Sequence, residues 1–435
     1  MKQLLKKIVT AIILFEAKLV LKKYKPRIVA ITGSVGKTSV KDAVFTVLSK
    51  FYFVRKSAKS FNSEIGVPLT ILGCPNGWNN PFAWIRNILE GAALIIFPSH
   101  YPEWLVLEVG VDKPGDMDYI TSWIHPDVAV MTRLSKVPVH VEFFSSPQAV
   151  MQEKGKLLKA VKPDGVVVLN GDDEDVLAFR DTVPVRTIVF SAQGTTEGGV
   201  TASQYSVEYA PHNGLDAFPV GITFELAYDD TRTPVSIRGT LGTQHIYTAL
   251  AAMAVGVSQG LEINKLARAF LDHEPPPGRL RVLEGVKKTV ILDDTYNSSP
   301  VALDNALETL GSLAGKRKIA VLGDMLELGK YSVDEHRNAG AHAAKVCQWL
   351  LTVGVRARFF AEGALSAGMK EKNILRFEDS RQAGEHLKKM LRKGDVALVK
   401  GSQSVRMERA VEVVLEDQES APDVLVRQEH DWLKR

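Results

Sequence analysis

A short glycine-rich turn that carries a lysine and three hydroxyls lies in the run IVAITGSVGKTS, residues 28–39. The apolar start predicts a strand and the following segment predicts a helix, so the turn would aim backbone N–H groups and a helix N-terminus at an anion. Lys37 would add a mobile cation, and Thr38 a hydroxyl for magnesium. We interpret the turn as a cradle for the phosphates of ATP, formed by Gly33, Ser34, Gly36, Lys37, Thr38 and Ser39.

The turn is shorter than a usual P-loop, because Gly33 and Gly36 enclose only two residues where four are usual. An ordinary turn followed by a capped helix is the competing interpretation. The strand before the turn and the amphipathic segment 40–48 after it favour the phosphate cradle.

A carboxylate, Glu108, ends the apolar run WLVLEVG. Magnesium bound to a nucleotide usually takes a carboxylate from a neighbouring strand in addition to the hydroxyl of the loop. So apolar a segment does not bury a charge without cause, which favours a metal ligand. A salt bridge at the strand end is the alternative. Farther along, His140 and Lys154 lie fourteen residues apart. Composition alone distinguishes neither from a structural histidine and a solvated lysine.

Apolar β-rich runs alternate with helical patterns and would position these residues. The runs at 51–54, 104–109, 128–132, 166–170 and 187–191 predict a mostly parallel sheet covered on both faces. Residues 203–240 alternate in polarity between turn signals, which predicts an antiparallel appendage. Three prolines in HEPPPGR, residues 273–279, mark a domain boundary.

Beyond that boundary strands and helices alternate again, so the predicted fold class is α/β with two main domains. Residues 28–275 would form a central P-loop ATPase-type domain with a mostly parallel sheet. Residues 276–435 would form a C-terminal Rossmann-like domain. Ligands of such sheets bind beyond the carboxyl ends of the strands, where the polar motifs of this chain fall.

The basic charge of the chain is concentrated at its start. The net charge is +4 over 435 residues, but residues 1–27 hold eight Lys or Arg against Glu16 alone, a balance of +7 that leaves −3 for the rest. These residues predict a basic amphipathic helix whose apolar stretch is too short and too interrupted to span a bilayer. It either packs on the body of the protein or lies on an anionic membrane face. Cys74 and Cys347 are far apart, which fits a reducing cytoplasm.

The motifs taken together resemble those of the Mur ligases, over residues from about 28 to 410. More narrowly, they are similar to the branch that adds D-alanyl-D-alanine to UDP-N-acetylmuramoyl-tripeptide, of which DDTYNSSP and GDMLELG are typical. The motifs occur in the order GSVGKTS, NSEIGVP, LEVGVDKPGDM, HVEFF with EKG, LNGDD, PPPGR, DDTYNSSP, VLGDMLELG, His336 and VKGSQSVRME.

The resemblance implies a role for each matching residue. Lys37 and Thr38 would hold the β- and γ-phosphates and a first magnesium ion, with Glu108 as its protein ligand. His140 would bind a second magnesium ion, and Lys154 falls where the family carries a carbamylated lysine. Asn62 would lie near the transferred γ-phosphoryl group. The implied cofactors are therefore ATP, Mg²⁺ at two sites and a carbamylated Lys154.

The resemblance also assigns residues of the second domain. Arg279, Asp294 and Asn297 would grip the nucleotide from that side, with Tyr296 on the same loop. The incoming dipeptide would bind near Asp324, Glu327, Lys400 and Ser402. Gln244 and Thr248 take positions that contact adenine, where relatives tend to have His and Asn. Preference for the adenine base is therefore less well supported than phosphate binding.

Two segments depart from the family pattern. Relatives place about a hundred residues before the phosphate loop, in a domain that binds UDP, so we expect this domain to be missing. Residues 74–103 add an apolar insertion, which would be either a helical hairpin packed on the body or a surface for lipid, a partner or a lipid-linked substrate. Peripheral membrane contact would run through residues 1–25 and 78–102.

The expected function is ATP-dependent formation of an acyl phosphate and then an amide bond, in peptidoglycan and cell-wall biosynthesis. The partners would be a peptidoglycan precursor and D-Ala-D-Ala or a related amine, with a cytoplasmic, monomeric enzyme that does not bind nucleic acid. The alternatives are a similar ligase that acts on a lipid-linked or polymeric carboxylate, and a catalytically inactive nucleotide-binding regulator.

Overall fold

Two α/β domains follow one another in the computed structural model, which describes residues 2–57, 64–78, 80–194, 198–429 and 432. The strands of the first domain are β1 Arg27–Thr32, β2 Val54–Lys56, β3 Trp104–Glu108, β4 Val128–Met131, β5 Val166–Asn170, β6 Arg186–Ser191, β7 Val200–His212, β8 Leu215–Tyr228 and β9 Thr231–Arg238. Its helices are α1 Lys2–Tyr24, α2 Lys37–Leu48, α3 Gly66–Leu72, α4 Pro81–Ile96, α5 Asp116–Thr121, α6 Pro147–Lys159, α7 Glu174–Leu177, α8 Gln244–Ser258 and α9 Ile263–Phe270.

These strands form one sheet in the order β2-β3-β1-β4-β5-β6-β7-β8-β9, and every pair from β2 to β7 is parallel. The central strands are apolar throughout because helices cover both faces. The antiparallel strands predicted as an appendage instead continue this sheet, because β7 pairs with β6 at Phe190 and Val200. The strand predicted at 51–54 begins only at Val54, since residues 51–52 belong to the turn after α2.

The second domain contains strands β10 Arg281–Gly285, β11 Thr289–Asp294, β12 Lys318–Gly323, β13 Trp349–Val353, β14 Ile374–Phe377 and β15 Val396–Lys400. Its helices are α10 Pro300–Ser312, α11 Ser332–Val346, α12 Arg358–Ser366, α13 Ser380–Met390, α14 Glu408–Val414 and α15 Ala421–Val424. The sheet order is β10-β11-β15-β12-β13-β14, antiparallel only at β10. The sequence pattern did not predict β10, α12, β14 or α15. The alternating pattern also predicts a helix over 333–350, whereas α11 ends at Val346 and residues 349–350 belong to β13.

Strand register brings the polar strand ends of both sheets to defined positions. In the first sheet Glu108 lies beside Ile31, two residues before Gly33 of the phosphate loop. In the second sheet Asp294 and Lys400 end adjacent parallel strands and face each other in register. Parallel order therefore gathers at one edge of each sheet residues that are far apart in sequence.

Helices α1, α3 and α4 form a layer outside the first sheet. Ile13, Ala17 and Val20 of α1 are fully buried in the apolar cluster that covers this face. The insertion at 74–103 forms a single helix, α4, which packs against α1 and α3; the predicted helical hairpin is not what forms. None of the helices that the structure describes combines the length and apolar character needed to cross a bilayer.

Candidate active site

The phosphate loop is held in a conformation that requires glycine. Gly33 has φ +140°, and a Cβ atom there would lie 2.1 Å from Thr132 Oγ1. The N–H of Ser34 donates to the carbonyl of Arg133 at 2.7 Å, and Thr132 Oγ1 donates to the carbonyl of Val35 at 2.6 Å. The loop is therefore anchored to the residues after β4.

Helix α2 begins directly after the loop without a side-chain cap. Gly36, at the N-cap, has φ +86° and provides no side chain to bond the first N–H groups of the helix. This arrangement suits an anion at the helix N-terminus. The competing interpretation of an ordinary capped helix is therefore not supported by the cap geometry.

Lys37 is the charged residue of the loop. Its Nζ donates to the carbonyl of Gly33 at 3.0 Å. Burial lowers the pKa of Lys37, the charges of Glu108 and Asp112 raise it, and the charge of Arg279 lowers it. Arg279 belongs to the segment that leads into the second domain. Lys37 and Arg279 therefore bring positive charge from the two domains close enough to interact electrostatically.

A cleft of about 640 Å³ lies between the two sheets and is lined by both domains. The predicted site residues that line it are Ser34, Gly36, Lys37, Thr38, Glu108, His140, Arg279, Asn297, Glu327 and Ser402. The predicted residues outside its lining are Gly33, Ser39, Lys154, Gln244, Thr248, Asp294, Asp324 and Lys400. Asn62 lies outside the described residues.

Two of the lining residues are candidate metal ligands. Glu108 is 2% exposed, and its Oε2 atom has no hydrogen-bond partner among the described residues. His140 has φ +67°, and its Nδ1 lies 3.2 Å from Glu327 Oε2, while its Nε2 lies 3.6 Å from Asp112 Oδ1. Among the described residues, no group of three or more His, Cys, Asp or Glu side chains is arranged to hold a metal ion. Magnesium does not require such a cage, since it commonly binds one or two carboxylates together with phosphates and water.

Lys154 is buried in α6 behind the loop, with 4% of its surface exposed. Burial, and then the nearby charge of Lys37, lower the pKa of Lys154 to about 7, whereas Asp112 acts in the opposite direction. A substantial fraction of this amine is therefore neutral at neutral pH, which is the form that reacts as a nucleophile.

Ionic and aromatic contacts order the second domain's side of the cleft. The Arg279 guanidinium lies 4.1 Å from the centre of the Tyr296 ring. Lys400 Nζ donates to Asp294 Oδ2 at 2.6 Å and to the carbonyl of Asn297 at 2.9 Å. Asp294 and Lys400 thus form a buried ion pair with each other. Through the bond from Lys400 to Asn297, the pair also holds the cleft-lining loop 296–299.

Hydrogen bonds to neighbouring segments hold the loop after β12. Asp324 Oδ1 accepts from the N–H of Ala357 at 2.6 Å, and the carbonyl of Asp324 accepts from the N–H of Ser402 at 2.9 Å. Ser402 Oγ accepts from the N–H of Leu326 at 3.0 Å. The buried His336 accepts from the N–H of Met325 through Nε2 at 3.0 Å, and burial lowers its pKa to about 4. These bonds leave Glu327 projecting into the cleft.

The two residues predicted to contact adenine lie at the start of α8. Gln244 Nε2 donates to the carbonyl of Leu241 at 3.1 Å, and Thr248 Oγ1 donates to the carbonyl of Gln244 at 3.0 Å. Both side chains therefore bond to nearby backbone.

Three charged or aromatic residues that line the cleft were not predicted as candidates. Asp112 faces His140 and influences the pKa of both Lys37 and Lys154. Its position shortly after the end of β3 was the signal that could have identified it. Arg406 and Trp432 also line the cleft, and Arg406 Nη1 donates to the carbonyl of Trp432 at 2.9 Å. No sequence pattern pointed to a contact between these two segments.

Two family models match the chain. The "Mur ligase middle domain" model matches residues 88–256, and the "Mur ligase, glutamate ligase domain" model matches residues 278–403. The chain belongs to the Mur ligase family. The matched ranges fall within the two domains seen in the structure, and β1, the phosphate loop at residues 33–39 and helices α2 and α3 precede the first of them.

Relatives and solved structures agree with this membership. The chain is 27% identical over 411 residues to the UDP-N-acetylmuramoyl-tripeptide--D-alanyl-D-alanine ligase of Bacillus subtilis. The match covers 92% of this chain and 78% of that protein. It is 27% identical over 395 residues to the enzyme of the same name from Escherichia coli, covering 90% and 77%. The crystal structure of the MurF ligase from Thermotoga maritima in complex with ADP is similar with a TM-score of 0.73, at 27% identity, covering 93% and 83%.

The buried pair Asp294–Lys400 gives a stability prediction for this Mur ligase. Lys400→Met and Asp294→Asn should each lower the free energy of unfolding by about 3 kcal/mol, because each leaves the partner buried without its counterpart. The double variant should lose about 2 kcal/mol less than the sum of the two single losses. Urea unfolding measures both effects.

Arg381→Met provides the matched control, since the Arg381–Glu412 pair is exposed and its loss should change the unfolding free energy by less than about 1 kcal/mol. Strictly additive effects of the two buried substitutions would show that the pair does not act as a unit.

Proposed function

We propose that this Mur ligase is an ATP-dependent amide ligase that adds D-alanyl-D-alanine to a UDP-N-acetylmuramoyl-tripeptide in peptidoglycan precursor synthesis. The names of the relatives from Bacillus subtilis and Escherichia coli support the substrates, and the ADP complex of the Thermotoga maritima relative supports the nucleotide. The observation that carries the proposal is that Lys37 and Arg279 line one cleft from its two sides, together with Glu108, whose buried Oε2 has no hydrogen-bond partner among the described residues.

The charges of the cleft favour a polyphosphate. Lys37, Lys154 and Arg279 interact electrostatically, and two of them have pKa values lowered chiefly by burial. A bound polyphosphate would replace lost hydration with charge-assisted hydrogen bonds and would offset the mutual repulsion of these cations. Because Lys37 lies in the first domain and Arg279 leads into the second, nucleotide binding would also draw the two domains together.

We assign Thr38 and Glu108 to a first Mg²⁺ and His140 with modified Lys154 to a second. The orphaned, buried Oε2 of Glu108 beside the phosphate loop fits a hard cation that binds oxygen. Magnesium, when bound, would polarise the phosphoryl oxygens and neutralise developing charge.

The reaction would take place in two steps. A carboxylate oxygen of the acid attacks the γ-phosphorus, and the bond to the β–γ bridging oxygen breaks to release ADP. The amine nitrogen then attacks the carbonyl carbon of the acyl phosphate, loses a proton, and phosphate leaves. Lys37 and Arg279 would stabilise the negative oxygens in the first step, and the protein supplies no nucleophile.

The remaining site residues are assigned as follows. Asn62 would lie near the transferred phosphoryl group, and Gln244 and Thr248 near the base. Asn297 and Asp294 would act on the nucleotide side, Asp294 through the loop that it and Lys400 hold. Glu327 and Ser402, which line the cleft, would contact the incoming amine, while Asp324 and Lys400 would position the loops around it.

We place the enzyme in the cytoplasm as a monomer, with peripheral contact at the inner face of the membrane through residues 1–25 and 78–102. The layer formed by α1 and α4 lies on the outside of the first domain and supports this location.

Phosphate release from the purified protein tests the proposed reaction. With ATP and magnesium, turnover should require both UDP-N-acetylmuramoyl-tripeptide and D-Ala-D-Ala, because the acyl phosphate needs the acid and its discharge needs the amine. If the enzyme does not turn over this pair of substrates but is active on a lipid-linked or polymeric acid, the assigned substrates are wrong. Absence of any ATP-dependent turnover would instead favour an inactive regulator.

We also propose that Lys154 is carbamylated. Its neutral amine would attack the carbon of CO₂, forming an N–C bond and releasing one proton, and so would change a cation into an oxygen ligand for metal. Since the amine must be neutral, carbamylation should decline as the pH falls below about 7.

Labelling with ¹³C-bicarbonate should give one carbamate signal by NMR that is absent from Lys154→Arg, together with loss of turnover in that variant by at least about 100-fold. Lys156→Ala is the control, because Lys156 lies on the same helix but is more exposed and pairs with Asp118 and Glu153. Full activity of Lys154→Arg would refute the carbamate.

A further inference from the structure

Exposed apolar side chains are concentrated on helices α1 and α4 and at the ends of α4. Among the residues that the structure describes, nine of the seventeen exposed large apolar side chains lie in this region. Solvent-facing apolar residues scattered singly need no explanation, but a contiguous patch marks an interaction surface.

The row on α4 follows the helical repeat. Phe82, Ile85, Leu89 and Ile96 lie three, four and seven residues apart and are 54–79% exposed. The buried residues Asn87 and Gly91 take the opposite face of the helix. Helix α4 is therefore apolar on the side that points away from the protein.

A second row lies on α1 at the same spacing, where Ile8, Ile12 and Phe15 are 36–62% exposed. Ile12 is one helical turn before Glu16, and Glu16 contacts α4, since a Cβ on Gly91 would lie 2.3 Å from Glu16 Oε2. The exposed row of α1 therefore borders α4, and the two rows belong to one surface.

The pairing of the two helices is fixed at their carboxyl ends. Lys23 Nζ donates to the carbonyls of Leu94 at 2.8 Å and Phe97 at 2.6 Å, and the Tyr24 hydroxyl donates to the carbonyl of Leu94 at 2.9 Å. These bonds cap the end of α4 with a cation and a hydroxyl from α1. The two-helix surface is thus preformed.

Most of the exposed charge around this surface is basic. Lys7, Lys18, Lys22 and Lys25 of the α1 segment are exposed. The acidic residues of α1 and α4 are Glu16, which is buried, and Glu90. Burial raises the pKa of Glu16 to about 7, and Glu90 is paired with Arg86 at 2.7 Å. An apolar face bordered by unopposed lysines complements a bilayer that carries anionic headgroups.

We infer that the surface formed by the exposed rows of α1 and α4 docks on an anionic lipid bilayer, with both helices lying along the interface. Trp78 and Phe97, at the two ends of α4, are 51% and 61% exposed and would lie at headgroup depth. The inference deepens the proposed location and does not depend on the ligase chemistry.

Flotation of the full chain with lipid vesicles tests this inference. Binding should be strong to phosphatidylcholine vesicles that contain phosphatidylglycerol, weak to pure phosphatidylcholine, and reduced by high salt. Ile85→Ser/Leu89→Ser should weaken binding by about tenfold or more. Lys18→Glu/Lys22→Glu should weaken it by about 20-fold or more, since each lysine near the surface contributes about fivefold.

Matched controls use residues of the same kind outside the surface. Leu271→Ser/Val355→Ser replaces side chains that are 65% and 77% exposed, and Lys372→Glu/Lys389→Glu reverses two exposed charges of the second domain. Both controls should bind vesicles as the wild type does. All four variants should keep the melting temperature and any soluble-substrate turnover of the wild type, which separates failure of docking from failure of the proposed reaction.

Equal binding to both vesicle types, or equal loss in the surface and control variants, would overturn the inference. A stable dimer in solution that Ile85→Ser/Leu89→Ser dissociates would also overturn it, because the surface would then bind a second copy of the chain.

Discussion

The placement of the Lys37 ammonium group on the wall of the cleft, at the turn between β1 and α2, is the constraint on which the rest of the site depends. Its ammonium group bonds to the carbonyl of Gly33, and burial lowers its pKa. Glu108 and Asp112 partly offset that burial, while Arg279 opposes them. Gly33, which has φ +140°, lets the loop pass so close to Thr132 that a Cβ atom would lie 2.1 Å from Thr132 Oγ1.

The second domain is built to present its cation to the same point. The pair of Asp294 and Lys400 is buried at the ends of two adjacent strands and holds the loop that carries Tyr296, over which Arg279 lies. The parallel sheets of both domains thus place their polar strand ends against one cleft. Helices α1 and α4 lie in a separate layer of the first domain, and lipid contact there and chemistry in the cleft would use different surfaces.

Much of this arrangement was predictable, because strand alternation and glycine spacing are local properties of the sequence. The loop, the position of Glu108 at a strand end and the second α/β domain followed from such patterns. The pairing of Asp294 with Lys400 did not, since residues 106 apart become neighbours only through sheet register. The insertion was ambiguous for a similar reason. Its partner, α1, lies some 60 residues earlier, and no local pattern indicates which helix covers it.

The central claim is that this cleft activates a carboxylate by transferring the γ-phosphoryl group of ATP to it. Turnover of a UDP-N-acetylmuramoyl-tripeptide labelled with ¹⁸O in the reacting carboxylate, in the presence of ATP and D-Ala-D-Ala, tests that claim directly. Formation of an acyl phosphate predicts that each phosphate released carries one ¹⁸O atom from the acid, because the bridging oxygen leaves with phosphorus when the amine attacks. Unlabelled phosphate released together with amide product would contradict the account.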